Sequence, residues 1–242
     1  MTRMAVVAGV GPGLGAAVAR RFAAEGCRVA LLARTKSYLD TLAADLDGTA
    51  GAGLAVPTDL TDADAVESAF ETIRAEWGPT DALVYNASGA PWQGVDISLD
   101  AFDHALATGP RGALLCAREA AADMVDGDAD AGDGKAGTIV FTGATTSTRG
   151  REGALGFSAA KFAVRGMAQS LARELGPDGV HVAHVVLDGS IRPPDVVPSD
   201  PPTHLDPDDI AGRYWDLVTA DPATMPFEIH LTNGPGGKTE FV

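Results

Sequence analysis

The sequence is short of cysteine, of positive charge and of long apolar runs. Only Cys27 and Cys116 occur in 242 residues. Both lie in apolar surroundings and read as small buried hydrophobes, which excludes a disulfide framework. Lys and Arg total 18 against 33 Asp and Glu, a net charge of -15. A surface of that sign repels phosphate backbones and anionic lipid, so no nucleic acid and no membrane is expected as a partner. A solvated acidic surface accounts for the excess by itself. No apolar run reaches the roughly 20 residues that a membrane helix needs. No signal-peptide pattern precedes the first apolar stretch, and the expected location is cytoplasmic. His104, His181, His184, His204 and His230 show no metal-ligand spacing, so no metal site is expected.

What the chain does have begins at its start. Met4-Ala-Val-Val-Ala8 is apolar and of strand length. Gly9-Val-Gly11-Pro12-Gly13-Leu14-Gly15 follows, then a helical run from Ala16 to Ala24. Strand, glycine loop and helix together cradle a dinucleotide pyrophosphate. The glycines allow a tight turn and close approach of backbone to phosphate. The helix start offers free N–H groups and the positive end of a dipole. A loop that is glycine-rich for packing alone is the competing explanation.

Strands and helices alternate through the rest. Residues 29–33 read as a second strand, and Ser37 as the cap of a helix running to Asp47. Residues 51–56 read as a weaker third strand. A helix is expected over 59–77, with Val66, Ala69, Phe70 and Ile73 on one face. Residues 81–85 read as a fourth strand, leading into Asn86-Ala87-Ser88-Gly89. Helical pattern spans 99–124 but meets Gly109-Pro110, where Pro costs ~3 kcal/mol and Gly ~1 kcal/mol relative to Ala. A kink or break is expected there. Residues 126–137 are polar and read as a surface loop. A fifth strand (138–142), a long loop (143–156), a helix (157–175) and a sixth strand (180–187) follow. Residues 192–207 are proline-rich and irregular. Asp206 caps a last helix, with Pro207 at its first position, and 227–231 is a seventh strand. The tail from Asn233 reads as flexible or surface-wrapped.

The expected fold is therefore α/β: a single Rossmann-type domain over 1–242, doubly wound, with a mostly parallel seven-stranded sheet and helices on both faces. The cofactor belongs outside the C-terminal strand ends.

On these residues the sequence resembles the short-chain dehydrogenase/reductase family over essentially its whole length. The resemblance is carried by Gly9-x-x-x-Gly13-x-Gly15, Asp59, Asn86-Ala-x-Gly89, Lys161 with the helix after it, and Gly189. It implies hydride transfer between a nicotinamide and an alcohol or carbonyl. It also implies a Tyr-x-x-x-Lys motif, a Ser thirteen residues before the Tyr, and an Asn in the preceding helix. This chain has Phe157-Ser-Ala-Ala-Lys161, with Ala144 at the Ser position and Gly109 at the Asn position; the proline expected before Gly189 is Asp188. Phenylalanine has no ionisable oxygen, so the general acid implied by the resemblance is missing, a loss of ~10²–10⁴ in rate. Lys161 survives, and it also binds cofactor. Thr145, Thr146, Tyr85, Ser88, Trp92, Arg149, Arg151 and Asp188 are replacement candidates, with Thr145 and Asp188 put forward beside Lys161; each is otherwise a polar or aromatic residue on a wet loop. Ser158 points away from residue 157 on a helix and is a poor substitute.

The cofactor site implied is Gly9, Gly11, Pro12, Gly13, Leu14, Gly15, Arg34, Thr35, Asp59, Leu60, Asn86, Ala87, Ser88, Lys161 and Gly189. The second strand ends Ala33-Arg34-Thr35 with no carboxylate, and Arg34 can pair a 2′-phosphate, which favours NADP(H) over NAD(H). A solvated strand end is the alternative for Arg34. Three functions remain open: an NADP(H)-preferring oxidoreductase with atypical catalytic groups, an inactive cofactor-binding regulatory protein, and a non-redox dehydratase, isomerase or cyclase. A small-molecule substrate is expected if the protein is active. Resemblance also implies a homodimer or homotetramer through the helices carrying Ala117, Ala120, Ala121 and Ala163.

Overall fold

A computed structural model describes residues 2–127, 135–198 and 203–233. The strands are β1 (Met4–Ala8), β2 (Arg28–Ala33), β3 (Ala52–Pro57), β4 (Ala82–Tyr85), β5 (Gly137–Thr142), β6 (Val180–Asp188) and β7 (Glu228–Thr232). The helices are α1 (Leu14–Ala24), α2 (Lys36–Leu46), α3 (Ala63–Trp77), α4 (Leu99–Leu106), α5 (Gly112–Asp126), α6 (Leu155–Leu175) and α7 (Pro207–Val218). The sheet order is β3-β2-β1-β4-β5-β6-β7 and every pair is parallel. Strands without polar interruption must be covered on both faces. Accordingly β1, β4, β5 and β6 are buried throughout, while β3 and β7 are edges and half-exposed. Alternation along β1 sends Ala5 and Val7 to the face covered by α1, α2 and α7, and Met4, Val6 and Ala8 to the face covered by α3, α5 and α6.

The chain reverses direction across the sheet between β1 and β4. A crevice opens there because the loops after the two strands leave to opposite sides. The glycine loop and Asn86 flank it.

Several expectations shift. Ser37 lies inside α2; Thr35 is the N-cap and makes no side-chain cap bond. The helix expected from 59 starts at Ala63, because Asp62 takes the N–H groups of Asp64 and Ala65, while Asp59 closes a turn with Thr61. The long loop after β5 contains a 3₁₀ turn at Thr145–Ser147, and α6 begins two residues early at Leu155. Gly109-Pro110 does not end the helical run: Ala107–Arg111 is a π turn joining α4 to α5. The extra residue accommodates a proline with no N–H, and the Gly112 N–H reaches Ala107 O. Thr108 O in that turn accepts the Tyr85 hydroxyl at 2.5 Å. Asp206 and Pro207 open α7 as expected. The expected surface loop at 126–137 and the tail after Asn233 fall largely outside the described residues.

Ala117 and Ala120 pack into this chain's own core and are not assembly surface; of the four alanines read that way, only Ala163 is exposed. Their small size instead lets α5 lie close on the sheet.

Glu228 on β7 ties the far side of the sheet together. It accepts a forked pair from Arg165 (2.6 and 3.0 Å), and bonds His184 Nδ1 at 2.9 Å and His230 Nε2 at 3.0 Å. Burial opposes its ionisation, but these hydrogen bonds prevail and hold the carboxyl at about 2. Burial pushes His184 down to about 4 against the pull of Glu228. As pH falls below about 6.5 the unfolded chain protonates its His184 before the folded one does, and below about 4.5 the same holds for Glu228. Both act in one direction. Thermal melts should show Tm level near pH 7–8, falling from about pH 6.5 downward, and falling further below 4.5. A Tm independent of pH between 7 and 4 would contradict this network.

Candidate functional site

Two adjoining clefts open at the C-terminal ends of the strands. The first, about 370 Å³, is bounded by the glycine loop, Arg34, the Thr58–Thr61 turn and the Asn86–Gly89 loop. Gly9 has φ +95°, and a Cβ there would stand 2.4 Å from the Ala87 backbone nitrogen. A Cβ on Gly15 would stand 2.7 Å from Gly9 O. Both positions exclude any side chain. Gly11 and Gly13 instead face open space, so the backbone is bare where it lines the cleft. Asn86 Nδ2 donates to Gly9 O at 3.0 Å and fixes the loop against the end of β4. No side chain caps α1, which starts at this wall. These features fit the pyrophosphate of a dinucleotide.

Arg34 is exposed at the cleft edge with no hydrogen bond or ion pair among the described residues. Asp59 accepts from the Thr61 N–H (2.9 Å) and the Thr61 hydroxyl (2.8 Å), and these bonds, with the charge of Arg34, hold its carboxyl below the usual range. Leu60, Ala87 and Ser88 also line this cleft. Pro12 and Thr35 are exposed and are not among its lining residues. His104 and Thr108 line it too, and the sequence reading missed them. Their spacing of one helical turn was the available signal.

The second cleft, about 790 Å³, shares Leu14, Asn86 and Ser88 with the first. Lys161, Thr145, Asp188 and Gly189 all line it. Lys161 is buried, and its Nζ donates to Thr142 O at 2.8 Å. Desolvation pushes its amine down to about 8. One turn earlier, the Phe157 ring lies 5.7 Å from that Nζ. Phe157 packs on Trp92 with ring centroids 5.6 Å apart, and the Arg151 guanidinium lies 5.6 Å from the Trp92 ring. A wall of arginine, indole, phenyl and ammonium results.

The chain's three tyrosines are elsewhere. Tyr85, a replacement candidate, is buried on β4 and spends its hydroxyl on Thr108 O. Tyr214 is buried against Thr142 Oγ1 at 2.9 Å, and Tyr38 is on α2. None lines either cleft. Across from Phe157, Thr145 Oγ1 donates to Asp188 Oδ1 at 2.5 Å, and both residues are buried. Beside them Thr146 Oγ1 is buried with no hydrogen-bond partner among the described residues. The Ala144 N–H donates to Ser147 Oγ at 3.0 Å. Ser158 Oγ faces away and accepts the Arg151 N–H at 3.3 Å. Gly109 presses on α6: a Cβ there would be 2.9 Å from Ala160 Cβ. Among the described residues no cluster of His, Cys, Asp or Glu could hold a metal ion, and no helix is long and apolar enough to cross a membrane.

A parallel sheet with its glycine loop at the switch point defines a Rossmann-type dinucleotide-binding protein. The sequence profile of the short chain dehydrogenases matches residues 3–193, and the chain belongs to that family. A D-threitol dehydrogenase from Mycolicibacterium smegmatis is 31% identical over 181 residues, 74% of this chain and 67% of its own. A metagenomic short-chain oxidoreductase solved with NADP superposes with a TM-score of 0.80 at 24% identity, covering 95% of this chain and 96% of that one. A 3-ketoacyl-(acyl-carrier-protein) reductase from Brucella melitensis, solved with NADH, gives 0.83 at 24% identity, covering 96% and 97%. Those two structures were solved with different nicotinamide cofactors.

Proposed function

We propose that this protein is an NADP(H)-preferring oxidoreductase that handles its substrate's oxygen with Thr145 and Asp188 instead of a tyrosine. The observation that carries the reading is the Thr145–Asp188 hydrogen bond in the wall of the cleft that also holds Lys161. A bound nicotinamide supplies or takes the hydride. The chain's part is to hold the oxygen and move its proton. Asp188 draws on the Thr145 hydroxyl proton, which leaves the Thr145 oxygen lone pairs free to accept from an alcohol O–H. Lys161 offers a further N–H, as the family resemblance assigns it to a ribose hydroxyl. Thr145→Val and Asp188→Asn should each cut turnover of a responsive carbonyl ~10²-fold while leaving NADPH affinity within about twofold. Unchanged turnover in both would overturn the assignment.

The NADP(H) preference rests on Arg34 and on the lack of a carboxylate at the end of β2. A charge-assisted contact of ~1.5–3 kcal/mol is ~10–100-fold in affinity. Calorimetry of Arg34→Ala should show that loss for NADPH and a change within about twofold for NADH; equal losses for both would sink the preference.

Phe157 favours a second reading, a cofactor-binding protein with little redox turnover. Binding of NADPH together with no oxidation of it by a broad carbonyl panel would select that reading. Self-association as a homodimer or homotetramer is supported by Leu114 on α5 and Phe162 on α6, both exposed, and is read by light scattering.

A further inference from the structure

Lys161 is an unusual lysine for its surroundings. Its Nζ makes one hydrogen bond, to a carbonyl oxygen, and no ion pair among the described residues. The ring next to it is a phenyl and brings no hydroxyl. The residue is buried and lines the larger cleft. The charged groups around it are Arg151 and Asp188 of the same cleft and the Arg165–Glu228–His184 cluster on α6, β7 and β6.

We propose that Lys161 is a nucleophilic amine that condenses with aldehydes entering the larger cleft. The aromatic wall of Phe157 and Trp92 favours an aldehyde carried on a planar apolar group. In the first step the nitrogen lone pair forms a C–N bond to the carbonyl carbon, the C=O π pair moves to oxygen, and the proton lost by nitrogen goes to that oxygen. In the second step the nitrogen's remaining proton passes to the hydroxyl of this carbinolamine, which leaves as water while the nitrogen lone pair closes the C=N bond. The Thr145–Asp188 pair lines the same cleft and can relay the protons. No oxidant or reductant is consumed. Desolvated lysines in apolar pockets are activated in this way. The lowered position of the amine, about 8, agrees with the geometry. At pH 7.5 it holds ~200 times more neutral amine than an ordinary lysine.

The chain's four lysines make the test direct. Lys36 is an exposed surface amine paired with Asp40 at 2.8 Å, Lys135 donates to Val218 O and Ala220 O, and Lys238 lies outside the described residues. The full-length protein is treated with benzaldehyde and sodium cyanoborohydride, which reduces the imine to a stable amine, and the modified sites are mapped by mass spectrometry from pH 6.5 to 10. Lys161 should be labelled at least ~10-fold faster than Lys36 at pH 7.5, with a rate that levels off above about pH 8. Equal rates at the two sites, or a Lys161 rate still climbing at pH 10, would overturn the proposal. Because the readout needs no cofactor, calorimetry with NADPH on the same preparation separates failure of this chemistry from failure of the cofactor reading.

Discussion

Gly9→Ala should abolish dinucleotide binding and lower Tm by roughly 5–15 °C. The new methyl would lie 2.4 Å from the Ala87 backbone nitrogen, an atom pinned at the end of β4 that cannot rotate away. The backbone at Gly9 has φ +95°, which an L side chain adopts only at ~1–2 kcal/mol. Overpacking adds ~1–3 kcal/mol. For a chain of this length each kcal/mol moves Tm by about 2–4 °C. Gly11→Ala and Gly13→Ala provide the contrast. Their methyl groups enter open space, so Tm should move by less than about 2 °C while NADPH affinity drops at least tenfold, because the methyl occupies the wall where phosphate would approach. Equal Tm losses across the three variants would show that the loop is glycine-rich for packing alone.

Restoring hydroxyls should move activity the other way. Phe157→Tyr combined with Ala144→Ser is expected to raise reduction of small activated carbonyls by ~10²-fold, the low end of what general acid catalysis contributes. Both positions line the cleft with Lys161, and the phenyl ring already lies 5.7 Å from its Nζ, so a para hydroxyl would extend from a ring held in place by Trp92. A neighbouring ammonium lowers a phenol's pKa. Asparagine is not part of this design. Gly109 is packed against Ala160, and any side chain there would push α6 away from the π turn. No rise over the unmodified protein would mean that the cleft does not present a carbonyl to residues 144 and 157.

Much of this site is legible in the sequence alone. The glycine spacing located the first cleft, and Phe157, Ala144 and Gly109 carry no side-chain group that could transfer a proton. The Asp206-Pro207 helix start was equally plain, since a cap acts on N–H groups only two or three residues away. Errors came where local signals competed. Ser37 is a good cap residue, yet α2 starts one residue before it, at Lys36. Gly109-Pro110 reads as a break by propensity, yet packing against α6 and the Tyr85 hydroxyl hold the chain in a π turn. Small alanines on α5 read equally well as an assembly surface or as core, and only burial separates the two.

The sequence by itself determined the sheet's covered centre, the bare backbone of the glycine loop and the absence of a hydroxyl at residue 157. Each of these is a property of one residue or one short run, set by which atoms a side chain does or does not have. Only the tertiary structure decided that Thr145 meets Asp188 across 43 positions, that Arg165 meets Glu228 across 63, and that the Lys161 amine donates to the Thr142 carbonyl. Those facts depend on the register of β5, β6 and β7 and on where α6 lies over them. Residues far apart in the chain carry no local mark of one another, so their meeting is fixed only when the sheet closes and excludes water.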